Sequence, residues 1–109
     1  MARDPGLEEL LRNDLRRVRG LTEKPMFGGL AWLLHGNLLC GVRKGSMMVR
    51  LGKDNDAWAL KHKGIESMVM QGRPLSGWLR ANQEAYAHDA LRAKLLKSAV
   101  EFNRTLPKK

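Results

Sequence analysis

Cysteine is nearly absent from this 109-residue chain, where Cys40 stands alone. An internal disulfide is therefore excluded, and three histidines offer no Cys/His spacing for structural zinc. Cys40 sits inside an apolar strand, where a free thiol behaves as a small buried hydrophobe. Long apolar runs are missing as well. No segment approaches the ~18 residues that cross a bilayer, and no apolar signal segment opens the chain. These absences point to the cytoplasm and away from a membrane. Aromatics are few, and Phe27, Trp32, Trp58, Trp78, Tyr86 and Phe102 fall mostly at core positions, which disfavours a base-stacking single-strand binder. Carboxylates number 11 against 20 Lys and Arg. None are paired for general acid–base work, so the chain reads as non-enzymatic, with no cofactor. Asp54-Asn55-Asp56 opens like a calcium loop but lacks the downstream Gly and Glu, so no metal is expected.

What is present is positive charge. The net is +9, which favours acidic partners such as nucleic acid or an acidic protein. It is uneven. Residues 43–63 carry six basic and two acidic side chains, and residues 73–109 carry eight and three. Arg43 and Lys44 in one turn, with Arg50 and Lys53 at a strand end, are expected to cluster at a sheet rim.

The organising stretch is Gly28 to Leu51. Leu30–Leu34, Leu38–Val42 and Met47–Leu51 are short apolar runs. His35-Gly36-Asn37 and Arg43-Lys44-Gly45-Ser46 separate them with turn chemistry. Connections this short force antiparallel neighbours, so the stretch reads as a three-strand meander. Both faces of its first two strands are apolar. The sheet is then covered on both sides, or covered on one side and used for association on the other. Arg50 marks a face of the third strand that reaches water.

Around the meander the spacing predicts helices and a second hairpin. Asp4-Pro5 starts a helix whose stripe is Leu7, Leu10, Leu11, Leu15 and Val18, stopped by Gly20. Leu21–Met26 is a connector or an edge strand, since Pro25 removes a donor. Gly28-Gly29 reads as a bend or bulge. Asp54, Asn55 or Asp56 caps a short helix from Ala57 to His62. Glu66–Gln71 and Leu75–Ala81 read as strands flanking a Gly72-Arg73-Pro74 turn, with Gly77 allowing close backbone approach. Met68, Met70 and Trp78 read as core or rim packing. Asn82 caps one long helix from Gln83 to Leu106 with the stripe Ala87, Leu91, Leu95, Ala99, Phe102 and Leu106. His88 lies on or near that stripe and Val100 falls off it. The expected fold is α+β: an antiparallel sheet, made of the meander plus the second hairpin, flanked by N-terminal, short middle and long C-terminal helices. It forms one domain over residues 1–109, frayed at 1–3 and 107–109.

Those residues in order carry a likeness. Met26-Phe27-Gly28-Gly29-Leu30-Ala31, His35-Gly36-Asn37-Leu38-Leu39-Cys40-Gly41-Val42, Met47-Met48-Val49-Arg50-Leu51-Gly52, then Met68, Met70, Gly72-Arg73-Pro74-Leu75 and Gly77-Trp78 resemble the N-terminal domain of the TfoX/Sxy family over about residues 7–106. The resemblance implies structural roles for Phe27, Gly28, Gly29, Gly36, Asn37, Gly72, Pro74 and Gly77. It implies a relation to bacterial competence regulators that act on transcription with a cyclic-AMP receptor protein. Those regulators carry a second, C-terminal domain, for which 109 residues leave no room. The family offers no catalytic residues.

Two functional readings follow. One is a regulatory, protein-interaction domain that self-associates or binds a partner through an exposed sheet face or the edge near Arg50. The other is a nucleic-acid-binding domain contacting phosphates through Arg43, Lys44, Arg50, Lys53, Lys61, Lys63 and Arg73.

Overall fold

The structure is a computed structural model that describes residues 4–26, 28–43 and 45–108, with the side chain of Met70 outside that description. Phe27 and Lys44, named above as candidates, and the expected fraying of residues 1–3 and of residue 109 lie outside the described residues.

Helix α1 runs Pro5–Leu15. The Asp4 carboxylate accepts from the Leu7 amide at 3.2 Å, and Pro5 occupies the first turn where no donor is needed. Leu7, Leu11 and Leu15 are buried, as their spacing requires, while Leu10 is exposed. The helix stops short of Gly20. The Val18 amide turns back to the Leu15 carbonyl at 2.9 Å, and the chain swings into the sheet with Val18 packed against the core.

Six strands follow: β1 Leu21–Met26, β2 Gly29–Leu34, β3 Asn37–Arg43, β4 Ser46–Arg50, β5 Ile65–Met70 and β6 Arg73–Asn82. They form one antiparallel sheet in the order β1-β2-β3-β4-β6-β5. The meander is present and gains β1 as a fourth strand. Pro25 sits on this edge strand, where a missing donor costs no ladder bond. Four hairpins close through two-residue loops, pairing Met26 with Gly29, Leu34 with Asn37, Arg43 with Ser46 and Met70 with Arg73. His35-Gly36 and Gln71-Gly72 both have positive φ at each position, the twist that suits such loops. The turns are thus tighter than the spacing suggested. Asn37 begins β3 and its amide donates to the Pro107 carbonyl at 2.9 Å, while Arg73 and Pro74 belong to β6.

Between β4 and β5 in the chain lies helix α2, Ala57–Leu60. Asp56 precedes it but makes no side-chain cap; its carboxylate accepts from the Gly77 amide at 3.3 Å.

The expected single C-terminal helix is broken. Helix α3 is Gln83–Tyr86, capped by Asn82 Oδ1 at 3.0 Å from the Glu84 amide, and α4 is Asp89–Asn103. The buried Arg92 explains the break. Its guanidinium donates to the Tyr86 carbonyl at 2.8 Å, which α3 leaves without a helical partner, and binds Asp14 of α1 and Asp89. Burial alone would lower the Arg92 guanidinium, but hydrogen bonds and charge from Asp14 and Asp89 outweigh it and hold the group above its ordinary value. The break resets the helical phase. The buried stripe of α4 is Arg92, Leu95, Leu96, Ala99, Val100 and Asn103. Val100 therefore packs inside and needs no second chain, whereas His88 is exposed.

Helix α4 lies against β3 and β4 and touches α1, so the helices cover one face of the sheet. Leu30, Trp32, Cys40, Val42, Met47, Val49, Leu79 and Ala81 bury themselves there. A register slip leaves Leu39 unopposed between Trp32–Cys40 and Leu33–Leu38, so Leu39 and Cys40 are both buried. Burial pushes the Cys40 thiol up, which keeps it neutral and unreactive.

Candidate interaction face

The alternation that buries Met47, Val49, Leu79 and Ala81 turns Met48, Arg50, Trp78 and Arg80 to the opposite face. Leu38 joins them because the bulge at Leu39 sends it away from the helices. The β5–β6 hairpin adds a wall. Ser67 pairs with Leu79 but Val69 pairs with Pro74, so Leu75, Ser76, Gly77 and Trp78 all stand against Met68.

Gly77 makes that distortion possible. It has φ of +83°, and a Cβ there would lie 2.4 Å from the Gly52 carbonyl carbon. Its carbonyl accepts from the Leu51 amide at 2.7 Å and the Gly52 amide at 3.2 Å. The hairpin is thereby pinned to the end of β4.

The result is a groove of about 330 Å³ lined by Leu38, Arg43, Ser46, Met48, Met68, Val69, Leu75, Trp78 and Arg80. Its floor is apolar and Val69, on its wall, is 64% exposed. Arginines rim it. Arg43 ends β3 at one side, and Arg80 is the register partner of both Met48 and Glu66. At the far end the Arg50 guanidinium lies 5.3 Å from the Trp78 ring centre and 5.2 Å from that of Phe102. Stacking of this kind holds an arginine in place without neutralising it. Among the described residues, no ion pair involves Arg43, Arg50 or Arg80.

The seven basic residues singled out in the sequence do not form one cluster. Arg43 lines the groove, whereas Arg50 does not and instead stacks on Trp78 and on Phe102 of α4; the two stand at opposite ends of the β3–β4 pair. Roughly 13 Å of strand, at about 3.3 Å per residue, separates the two ends. Nor is Arg50 near an edge: β4 is flanked by β3 and β6. Lys53 is in the turn after β4, and Lys61 and Lys63 follow α2; all are exposed, and Lys63 pairs with Glu84 at 3.4 Å. Arg73 is exposed at the start of β6. Arg80 was missed, although the alternation Trp78-Leu79-Arg80-Ala81 places it beside Trp78. Met68 and Trp78 line the open groove rather than the core. Among the described residues, no three His, Cys, Asp or Glu side chains are grouped to hold a metal. No helix of the described residues is long and apolar enough to cross a membrane.

A family model for the TfoX N-terminal domain matches residues 13–103. The chain belongs to that family. The match runs from within α1 through all six strands to the end of α4, so the groove lies wholly inside the TfoX N-terminal domain. No curated protein matches the chain. The motif residues have structural places in this domain. Gly28, Gly36 and Gly72 sit in two-residue hairpin loops. A Cβ on Gly29 would collide with the Val42 carbonyl at 2.0 Å. Asn37 ties β3 to the chain after α4, Pro74 opposes Val69, and Gly77 shapes the groove.

Proposed function

We propose that this TfoX N-terminal domain is a non-enzymatic regulatory domain that acts by binding another protein through the helix-free face of its sheet. The observation that carries the reading is the groove: an apolar methionine- and tryptophan-lined floor beside arginines that make no ion pair among the described residues, on the face the helices leave open. An open antiparallel sheet face ordinarily alternates to polar residues. An apolar one rimmed by charge marks an association surface. A place in transcription control, as in the competence regulators, is the family-level form of this proposal. The test is complementation. A deletion strain is given the intact chain or Met48→Asp, and its transcript profile is compared with that of the parent. The intact chain restores the profile and the folded Met48→Asp variant does not. Restoration by both sinks the role of this face, and a deletion that alters no transcripts sinks the regulatory role.

A second reading has one observation in its favour: Arg43, Arg50 and Arg80 share a face. As a phosphate-binding surface it would give duplex binding that falls steeply with salt, by a logarithmic slope of roughly 0.9 per contact. Replacing the three by Ala would weaken binding to every sequence alike. Absence of binding at ~50 mM salt removes this reading.

A further inference from the structure

We propose that the groove seats an acidic amphipathic helix of a partner protein. This rests on the reading of the open face as a protein-binding surface and names its occupant. Three features select it. The first is charge: Arg43, Arg50 and Arg80 carry no ion pair among the described residues, on a chain of net +9. Carboxylates on the partner supply the missing sign. The second is span. Arg43 and Arg50 stand at the two ends of the β3–β4 pair, about 13 Å of strand apart, with Arg80 of β6 opposite Met48 between them. Two turns of α-helix cover about 11 Å, so apolar side chains at i, i+3 or i+4, and i+7 reach the floor while flanking Glu or Asp meet the rim. The third is the floor itself. Met48 and Met68 are unbranched and polarizable and adapt to inserted side chains, as suits a helix-docking groove.

The alternatives fit less well. A second copy of this chain would bring arginines against arginines, a like-charge juxtaposition that opposes docking. An added strand on the β5 edge would run an acidic segment beside Glu66, which faces the same side as Arg80. A nucleic-acid duplex would leave the apolar floor unfilled.

The test uses the full chain and a synthetic sixteen-residue peptide with Leu at i, i+3, i+7 and i+10 and Glu elsewhere on the exposed faces. Fluorescence anisotropy measures its binding, alongside the same peptide with Lys for Glu, and a duplex DNA. The Glu peptide binds saturably and the Lys peptide does not. Met48→Glu weakens binding by roughly tenfold or more. Arg43→Glu with Arg80→Glu, both exposed positions that leave folding intact, loses the Glu peptide and gains the Lys peptide. The proposal is overturned if the Glu peptide fails to saturate, if both peptides bind alike, if the charge reversal changes nothing, if DNA competes for the site, or if light scattering shows a dimer that Met48→Glu dissociates. Failure of the peptide together with loss of complementation by Met48→Asp overturns the helix and leaves the face's role standing. Restored complementation overturns both.

Discussion

The two faces of the sheet are built from neighbouring residues and have opposite chemistry. Met47 and Met48 are adjacent; one is fully buried beneath α4 and the other lines the open groove. Leu79 and Arg80 divide in the same way. The covered face is apolar throughout, with Trp32, Cys40 and Met47 among its leucines, valines and alanine, and it packs against leucines of α1 and α4, where residues are chosen for volume. The open face mixes methionine, tryptophan and arginine, side chains that adapt and bind. The difference teaches that period-two alternation here separates folding from association, with each strand serving both.

The sharpest way to break the comparison is to truncate matched residues on the two faces. Leu39→Ala is expected to cost about 2–5 kcal/mol, from lost burial and the cavity left behind. Met48→Ala is expected to cost under ~1 kcal/mol, because its site is already open to water. Urea denaturation measures both, and equal costs would mean that the groove face is structural.

Next comes the layer that covers the core. Arg92→Met removes the link between α1, α3 and α4, leaving Asp14 and the Tyr86 carbonyl without their partner, at a cost of about 2–4 kcal/mol. Thermal denaturation should show it, with Met48 and Trp78 amide shifts unchanged by NMR. Third is the wall of the groove. Gly77→Ala forces a side chain into a left-handed backbone and against Gly52, for about 2–3 kcal/mol. Hydrogen exchange should report loss of protection concentrated in β5 and β6.

The smallest effect is at the far edge. The Arg12 guanidinium pairs with Glu23 on β1 at 2.9 and 3.1 Å. That hydrogen bond holds the Glu23 carboxyl below its ordinary value. Its stabilisation is therefore present above the unfolded carboxyl value and is lost as pH falls through the lowered one. Glu23→Gln should lower the melting midpoint slightly at pH 7 and leave it unchanged in acid below that titration. A pH-independent difference would mean that the charge is not what ties α1 to β1.

Much of the fold was legible in the sequence because its signals are local. Gly36, Gly45 and Gly72 punctuate apolar runs, and connections this short dictate antiparallel pairing. Asp4, Pro5 and Asn82 announce helix starts. What was not legible depends on partners far apart in the chain. No proline or glycine marks the break at Ala87-His88; it comes from Arg92 reaching Asp14, 78 residues away. The placement of β6 beside β4 is likewise nonlocal. So is the slip that gathers Leu75 and Trp78 against Met68, since it is held by Gly52 and Asp56. The candidate site was legible in its charge and in the second apolar face of the meander, not in its full outline. Arg43 and Arg50 were visible, but the complete apolar floor between them appears only when the hairpin folds against the meander.

One adjacent pair of residues, Met47 and Met48, reports on both faces at once. With methionine methyl groups labelled by carbon-13, the Glu-rich peptide is titrated into the full chain and the Met47 and Met48 signals are followed together. Met48 and Met68 are expected to shift and saturate while Met47 stays in place. Movement of Met47 with Met48 unmoved, or no movement of either while the peptide binds, would contradict that division of the two faces.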